Sequence, residues 1–138
     1  MSKEVSKKIS VLLVDSDLKG LRELQRYMIH DQRLELAQPC KSGRGALSFL
    51  KHKKVDLIIL NPALPDANGF DLIASLPDPP ATIIVADRKD YAYFAYRIQA
   101  IDYLLKPLSV GELDQAISRI ITQINLVKEV KILRAKLA

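Results

Sequence analysis

A doubly wound α/β domain on a five-stranded parallel sheet is the fold this sequence predicts, from three observations. Short apolar runs rich in β-branched residues recur along the chain, helical stretches separate them, and turn residues punctuate the joints. The composition agrees: 138 residues, 49% hydrophobic and 27% charged, describe about one globular domain with a core of its own. That balance excludes intrinsic disorder. The single cysteine, Cys40, excludes a disulfide scaffold and fits a reducing, cytoplasmic setting as a small packed hydrophobe. No apolar run nears the ~18 residues of a membrane span. The opening Met-Ser-Lys-Glu-Val-Ser-Lys-Lys lacks the apolar segment of a secretion signal.

Each element has its own warrant. Ile9 to Val14 is nearly continuous and β-branched, the pattern of a strand buried on both faces. Leu18 to Ile29 places Leu21, Leu24 and Met28 at helical spacing. Leu34 to Ala37 reads as a short second strand and Ser42 to Leu50 as a short helix. Val55 to Leu60 is the strongest strand and stops at Asn61-Pro62. Within Asp66 to Leu76, Asn68-Gly69 marks a turn before a short helix. Thr82 to Val85 is a fourth strand, Asp90 to Ile98 an aromatic-rich helix, and Asp102 to Leu105 a fifth strand.

Ser109 with Glu112 three residues on is a capping box that opens the last helix. From Val110 to Ala138 this helix would be about 29 residues and about 43 Å long. Leu113, Ile117, Ile120, Ile124 and Val127 form an apolar stripe, which Val130, Leu133 and Leu137 are expected to continue. The first part packs on the sheet and the end projects. That end reads as a short coiled coil, as a linker helix toward an effector domain, or as a frayed tail.

In such a sheet function gathers at the carboxyl ends of the strands. Asp15-Ser16-Asp17 follows the first strand, Asn61-Pro62 the third, Ala86-Asp87 the fourth and Lys106-Pro107 the fifth. Neither a GxGxxG nor a GxxxxGK[ST] loop occurs, so nothing cradles a nucleotide phosphate. His30 and His52 fall in helix-end or loop contexts away from those strand ends, which leaves Ser-His-Asp hydrolysis unsupported.

Three stretches carry a resemblance to a known family. They are Val11-Leu-Leu-Val-Asp-Ser-Asp17, Val55 to Leu72 through Asn61-Pro-Ala-Leu-Pro-Asp-Ala-Asn-Gly69, and Gln99-Ala-Ile-Asp-Tyr-Leu-Leu-Lys-Pro107. In order and spacing they resemble the receiver domain of response regulators, across about residues 8 to 124. The last stretch and the aromatic helix before it, Asp90 to Tyr96, are similar to receivers that precede LytTR-type DNA-binding domains. The resemblance implies a flavodoxin-like sheet of order 2-1-3-4-5 and a cytoplasmic two-component signalling module rather than an enzyme. It also implies a histidine kinase upstream and an effector downstream. In the family, a carboxylate at the end of the third strand takes phosphate from a phosphohistidine. Mg²⁺ held by acidic residues neutralises the phosphoryl oxygens, and a hydroxyl and a lysine bind them.

Residue by residue, the site is degenerate. Asp15 matches the first acidic residue, and Ser16 stands at the second. Asn61 occupies the position of the nucleophilic Asp, and Ala86 the hydroxyl position. Lys106 matches, as does Pro107, which in the family usually follows a cis peptide bond. An amide is neutral, and an aspartyl-phosphate type intermediate requires a carboxylate. Conversion of Asn61 to Asp by ring closure uses the next backbone N–H, which Pro62 lacks. Joint departures at Ser16, Asn61 and Ala86 also argue against a single substitution in an otherwise intact site.

The metal site loses charge as well. Asp15 is secure, Asp17 lies one residue out of place, and one carboxylate beside the ammonium of Lys106 nearly cancels. Neither Mg²⁺ nor a phosphoryl group would be held strongly, so no cofactor is expected, with Asp15 as the one weak ligand. The expectation is a closed cluster of Asn61, Asp15 and Lys106 in place of the phosphorylation switch. The alternative is a receiver phosphorylated at Asp66 or Asp17, although each reads better as a turn or helix-start residue.

The family signals through the face of its fourth helix, fifth strand and fifth helix, which makes a homodimer or effector contact there the expected partner surface. Tyr103 holds the place of the switch aromatic, and Ala86 leaves room beneath it for one fixed rotamer. A half-buried packing tyrosine is the other reading. Phe94 reads either as an exposed partner anchor or as one more core aromatic. The domain is expected to span 1–124, with 125–138 an extension of the last helix. The net charge of +5 invites a nucleic-acid-binding reading. However, Lys3, Lys7 and Lys8 against Glu4 carry +2 of it, and Lys128, Lys131, Arg134 and Lys136 against Glu129 carry +3. Residues 9 to 125 therefore balance, and no direct nucleic-acid binding by the folded core is expected.

Overall fold

The computed structural model describes residues 8–137. Five strands, β1 (Ile9–Val14), β2 (Leu34–Leu36), β3 (Leu57–Leu60), β4 (Ala81–Ala86) and β5 (Asp102–Leu105), pair in parallel in the order 2-1-3-4-5. Five helices connect and extend them: α1 (Leu18–Met28), α2 (Gly43–His52), α3 (Gly69–Ala74), α4 (Ala92–Arg97) and α5 (Val110–Leu137). The expected flavodoxin-like fold is the observed one.

The unbroken apolar strands follow from burial on both sides. Alternate side chains point to opposite faces. Val11, Leu13, Leu57, Ile59, Ile83 and Val85 meet Leu21, Leu24 and Met28 of α1 and Leu113, Ile117 and Ile120 of α5. Leu12, Val14, Ile58, Leu60, Ile84 and Ala86 meet Ala46, Phe70, Leu72, Ile73 and Ala95 from α2, α3 and α4. Strands β1, β3 and β4 thus each feed two cores, and their carboxyl ends are left to line the rim.

Some boundaries differ from the sequence reading, for local reasons. Strand β3 starts at Leu57 rather than Val55, because the Asp56 carboxylate turns to accept from Ser10 N (2.9 Å) and Ser10 Oγ (3.1 Å). The aromatic helix divides into a 3-10 turn, Lys89–Tyr91, and the short α4. Within it Ala95 is buried, whereas Tyr91 and Ile98 pack half-buried against the core. The largest difference lies in α5. Ile120 is buried, but Val127, Val130, Leu133 and Leu137 are exposed by 43% or more, so the stripe does not continue on the core face. From Ile124 it advances by three residues three times, which carries it roughly 180° around the helix. Among the described residues no helix is long and apolar enough to cross a membrane. The basic residues Lys3 and Lys7 lie outside the described residues.

Candidate functional site

The carboxyl ends of β1, β3, β4 and β5 bring Asp15, Asn61, Ala86 and Lys106 to one rim of the sheet. Asp15 is its centre and is 1% exposed. A carboxylate so buried needs donors on both oxygens, and it has them. Oδ1 accepts from the backbone N–H of Asp17 at 2.9 Å and from Nδ2 of Asn61 at 3.3 Å. Oδ2 accepts from Nζ of Lys106 at 2.9 Å. The Asn61 amide cannot turn over without loss, because its Oδ1 accepts from the Ala63 N–H at 3.1 Å. The expected contacts of Asn61 and Lys106 with Asp15 are therefore present in the geometry.

The neighbouring polar residues hold the rim in place. Asp17 caps α1 by accepting from Lys19 N, and its carboxylate also lies 3.6 Å from Lys106 Nζ. Ser16 donates through Oγ to the Ala63 carbonyl at 3.4 Å, bridging the loops after β1 and β3. The peptide before Pro107 is cis. Asp66 does not start its own helix; Asn68 does that for α3. Instead the Asp66 carboxylate accepts from Gly43 N (2.8 Å) and Arg44 N (3.0 Å) at the start of α2. Those backbone donors, Arg44 first, hold its carboxyl below the usual range.

Gly20 belongs to this site and went unnoticed in the sequence. It lies in α1, where glycine costs about 1 kcal/mol relative to alanine. A Cβ there would stand 2.6 Å from Lys106 Nζ, 3.1 Å from Asp17 Oδ2 and 3.3 Å from Asp15 Oδ2. The missing side chain is the space in which the ammonium sits. The signal was a glycine inside an otherwise amphipathic helix, one turn after Asp15.

Tyr103, the expected switch aromatic, has a defined place on β5. It pairs in register with Ile84 on β4 and packs against the same core as Ala86. Its hydroxyl is buried and makes no hydrogen bond. Burial pushes the phenol above its ordinary range, and the Tyr91 backbone opposes the shift without supplying a bond of normal geometry. Outside it, Phe94 is 49% exposed, with one face near Phe70 and its edge meeting Tyr93, ring centroids 5.5 Å apart in both pairs. Tyr93 and Tyr96 are more exposed still. Phe94 thus leans on the core with one side and faces solvent with the other.

The Mg²⁺ that the family resemblance implies does not fit this donor set. A hard cation wants oxygen ligands, yet Asp15 turns one oxygen to an ammonium and the other to an amide NH₂ and a backbone N–H. Among the described residues no three His, Cys, Asp or Glu side chains are grouped to hold a metal.

Comparison with known proteins agrees with the fold. The family model of the response regulator receiver domain matches residues 11–118. The chain is 27% identical over 130 residues to the sensory transduction protein LytT of Bacillus anthracis, covering 89% of this chain and 53% of that protein. It is 31% identical over 114 residues to a response regulatory protein of Shewanella oneidensis, covering 81% and 48%. Among solved structures, the signal receiver domain of an HD domain-containing protein from Pseudomonas fluorescens superposes with a TM-score of 0.81 at 25% identity, covering 93% of this chain and 97% of that one. The chain spans about half the length of the curated relatives it matches. The family match, covering most of the chain, and the sheet order 2-1-3-4-5 lead to one conclusion: the chain belongs to the response regulator receiver family and is a receiver domain of the two-component type.

Proposed function

We propose that this receiver is a pseudo-receiver, which takes no phosphate at the usual position and signals through protein contacts. The observation that carries the reading is the Asn61 amide donating to Asp15 while Lys106 closes on the other oxygen. In a phosphorylatable site the third strand ends in a nucleophile and the lysine is free to meet the incoming phosphoryl group. Here the strand ends in a neutral amide, and the lysine is the counter-ion of a buried carboxylate. Removing either partner of such a pair costs about 3–5 kcal/mol, so Lys106 is poorly placed to leave for a ligand. The closed cluster is in effect a charge-neutral plug.

Output then runs through the face formed by α4, β5 and α5. Tyr103 stays inward because the small Ala86 leaves room for its ring, and the exposed rings of Tyr93, Phe94 and Tyr96 supply an apolar contact surface beside it. The recipient is an effector protein or an attached domain. The resemblance of Gln99 to Pro107 to receivers that precede LytTR-type DNA-binding domains makes a transcriptional effector the expectation. Thermal unfolding in the presence of Mg²⁺ with trifluoroberyllate, a mimic of the acyl phosphate, tests the reading. The melting temperature is expected to stay put. A saturable rise would mean that the pocket opens to a metal and a phosphoryl-like group, and the proposal would be lost.

A further inference from the structure

The rotated apolar stripe at the end of α5 remains unexplained by the receiver core. Leu126, Val130, Leu133 and Leu137 are 55%, 43%, 57% and 86% exposed. Their spacing of 4, 3 and 4 places them on one line, about 140° around the helix from the core-facing line of Leu113, Ile117 and Ile120. The same line carries Arg119, tied to Asp102 of β5, so the apolar part starts where α5 leaves the sheet.

We infer that this stripe is the seam of a parallel two-stranded coiled coil between two copies of this chain. The register follows from the residues. With Leu126 and Leu133 at d and Val130 and Leu137 at a, the seam alternates leucine at d with a β-branched valine at the first a, a combination that favours two parallel strands. Charge complements the parallel orientation. Glu129 falls at g and Arg134 at the following e, so a parallel pair places Glu129 of each copy opposite Arg134 of the other. An antiparallel pair would set Glu129 against Lys136 and leave Arg134 facing Val127, so the alternation of leucine at d with valine at a, and not charge alone, selects the parallel pair. Lys128 and Lys131 fall at f and b, outside the seam, where their charge stays in solvent. Lys136 falls at the second g position, beside the seam. Ile132, at c, and Val127, at e, are exposed aliphatics of this segment outside the a and d positions.

The occupant is a second copy rather than this chain's own sheet. On the face that would turn back to the domain, the helix end presents Lys131 and Arg134 in place of Ile120 and Ile124. The seam is separate from the α4 aromatic surface and needs no phosphate, so it adds a constitutive contact to the proposed pseudo-receiver and does not rest on it.

Analytical ultracentrifugation of the whole chain and of charge-reversed variants tests the inference. The unmodified chain is expected to shift with concentration from its 15.5 kDa monomer toward twice that mass. Glu129→Arg alone and Arg134→Glu alone should each remain monomeric, since each sets like charges across the seam. Mixing the two should restore a dimer containing one copy of each, because both cross-pairs then become opposite in sign. Leu133→Glu should abolish association, with circular dichroism confirming the fold. A chain that stays monomeric at every concentration overturns the inference. So does association unaffected by Leu133→Glu, and so does a mixture that fails to form the mixed dimer.

Discussion

Replacing Gly20 by alanine is expected to destabilise the domain, although the same change in an open helix stabilises it. Helix propensity alone favours alanine by about 1 kcal/mol. At Gly20 the new methyl would stand 2.6 Å from Lys106 Nζ, so the ammonium must retreat by about 1 Å to reach ordinary contact. Its separation from Asp15 Oδ2 would then grow from 2.9 Å to about 3.9 Å. At an effective dielectric constant of about 20 that weakens the attraction by about 1.5 kcal/mol. The charge-assisted hydrogen bond, worth about 1.5–3 kcal/mol, is strained or lost with it. The net expectation is a loss of about 1–3 kcal/mol. Gly111 provides the control, since a Cβ there meets only Ser109 Oγ at 3.7 Å, and Gly111→Ala should stabilise by about 0.5–1 kcal/mol. Urea unfolding of the three chains, at equal m-values, reads both signs. If Gly20→Ala stabilised as Gly111→Ala does, the ammonium would not occupy the space above Gly20, and the reasoning about the cluster would fail.

Other consequences follow from the same contacts. Asn61→Asp would set a second carboxylate against Asp15, where the amide now lies 3.3 Å away. It should cost about 2–4 kcal/mol without divalent ions and regain stability as Mg²⁺ is added. Denaturation that is unchanged and indifferent to Mg²⁺ would speak against the charge argument. Tyr103→Phe removes a buried hydroxyl that has no partner and should raise stability by about 1 kcal/mol. A loss of similar size would reveal a hydrogen bond that this account lacks. The Asp66 carboxyl is held below its ordinary value of 3.8 by the N–H groups of Arg44 and Gly43. Its contribution to stability is therefore complete above that value and fades as pH falls through the lower folded one. NMR titration should place its midpoint below 3.8, and a midpoint at or above that would remove the α2 contact from the account.

The fold was legible because both cores are fed by the same strands. Runs such as Val11 to Val14 and Leu57 to Leu60 are apolar at every position, and only a sheet covered on both faces explains that. The rim was legible because Asp15, Asn61, Ala86 and Lys106 each terminate a strand. What stayed hidden depends on distance through space. Gly20 gave only an oddly placed glycine, and its purpose requires knowing where the ammonium of Lys106, 86 residues later, comes to rest. Asp66 sits before α3, so its role looked local, yet it serves α2, reached through an intervening strand. The end of α5 misled for another reason. Its apolar residues continue in number, but steps of three instead of alternating three and four turn them away from the core.

The central claim is that the cluster of Asn61, Asp15 and Lys106 stands in place of a phosphorylation switch. Intact-mass spectrometry of the chain after incubation with Mg²⁺ and a small phosphodonor tests it most directly, with peptide mapping of any adduct. The account predicts an unshifted mass. A gain of one phosphoryl group, mapped to the loops that carry Asp15 to Asp17 or Asn61 to Asp66, would contradict it.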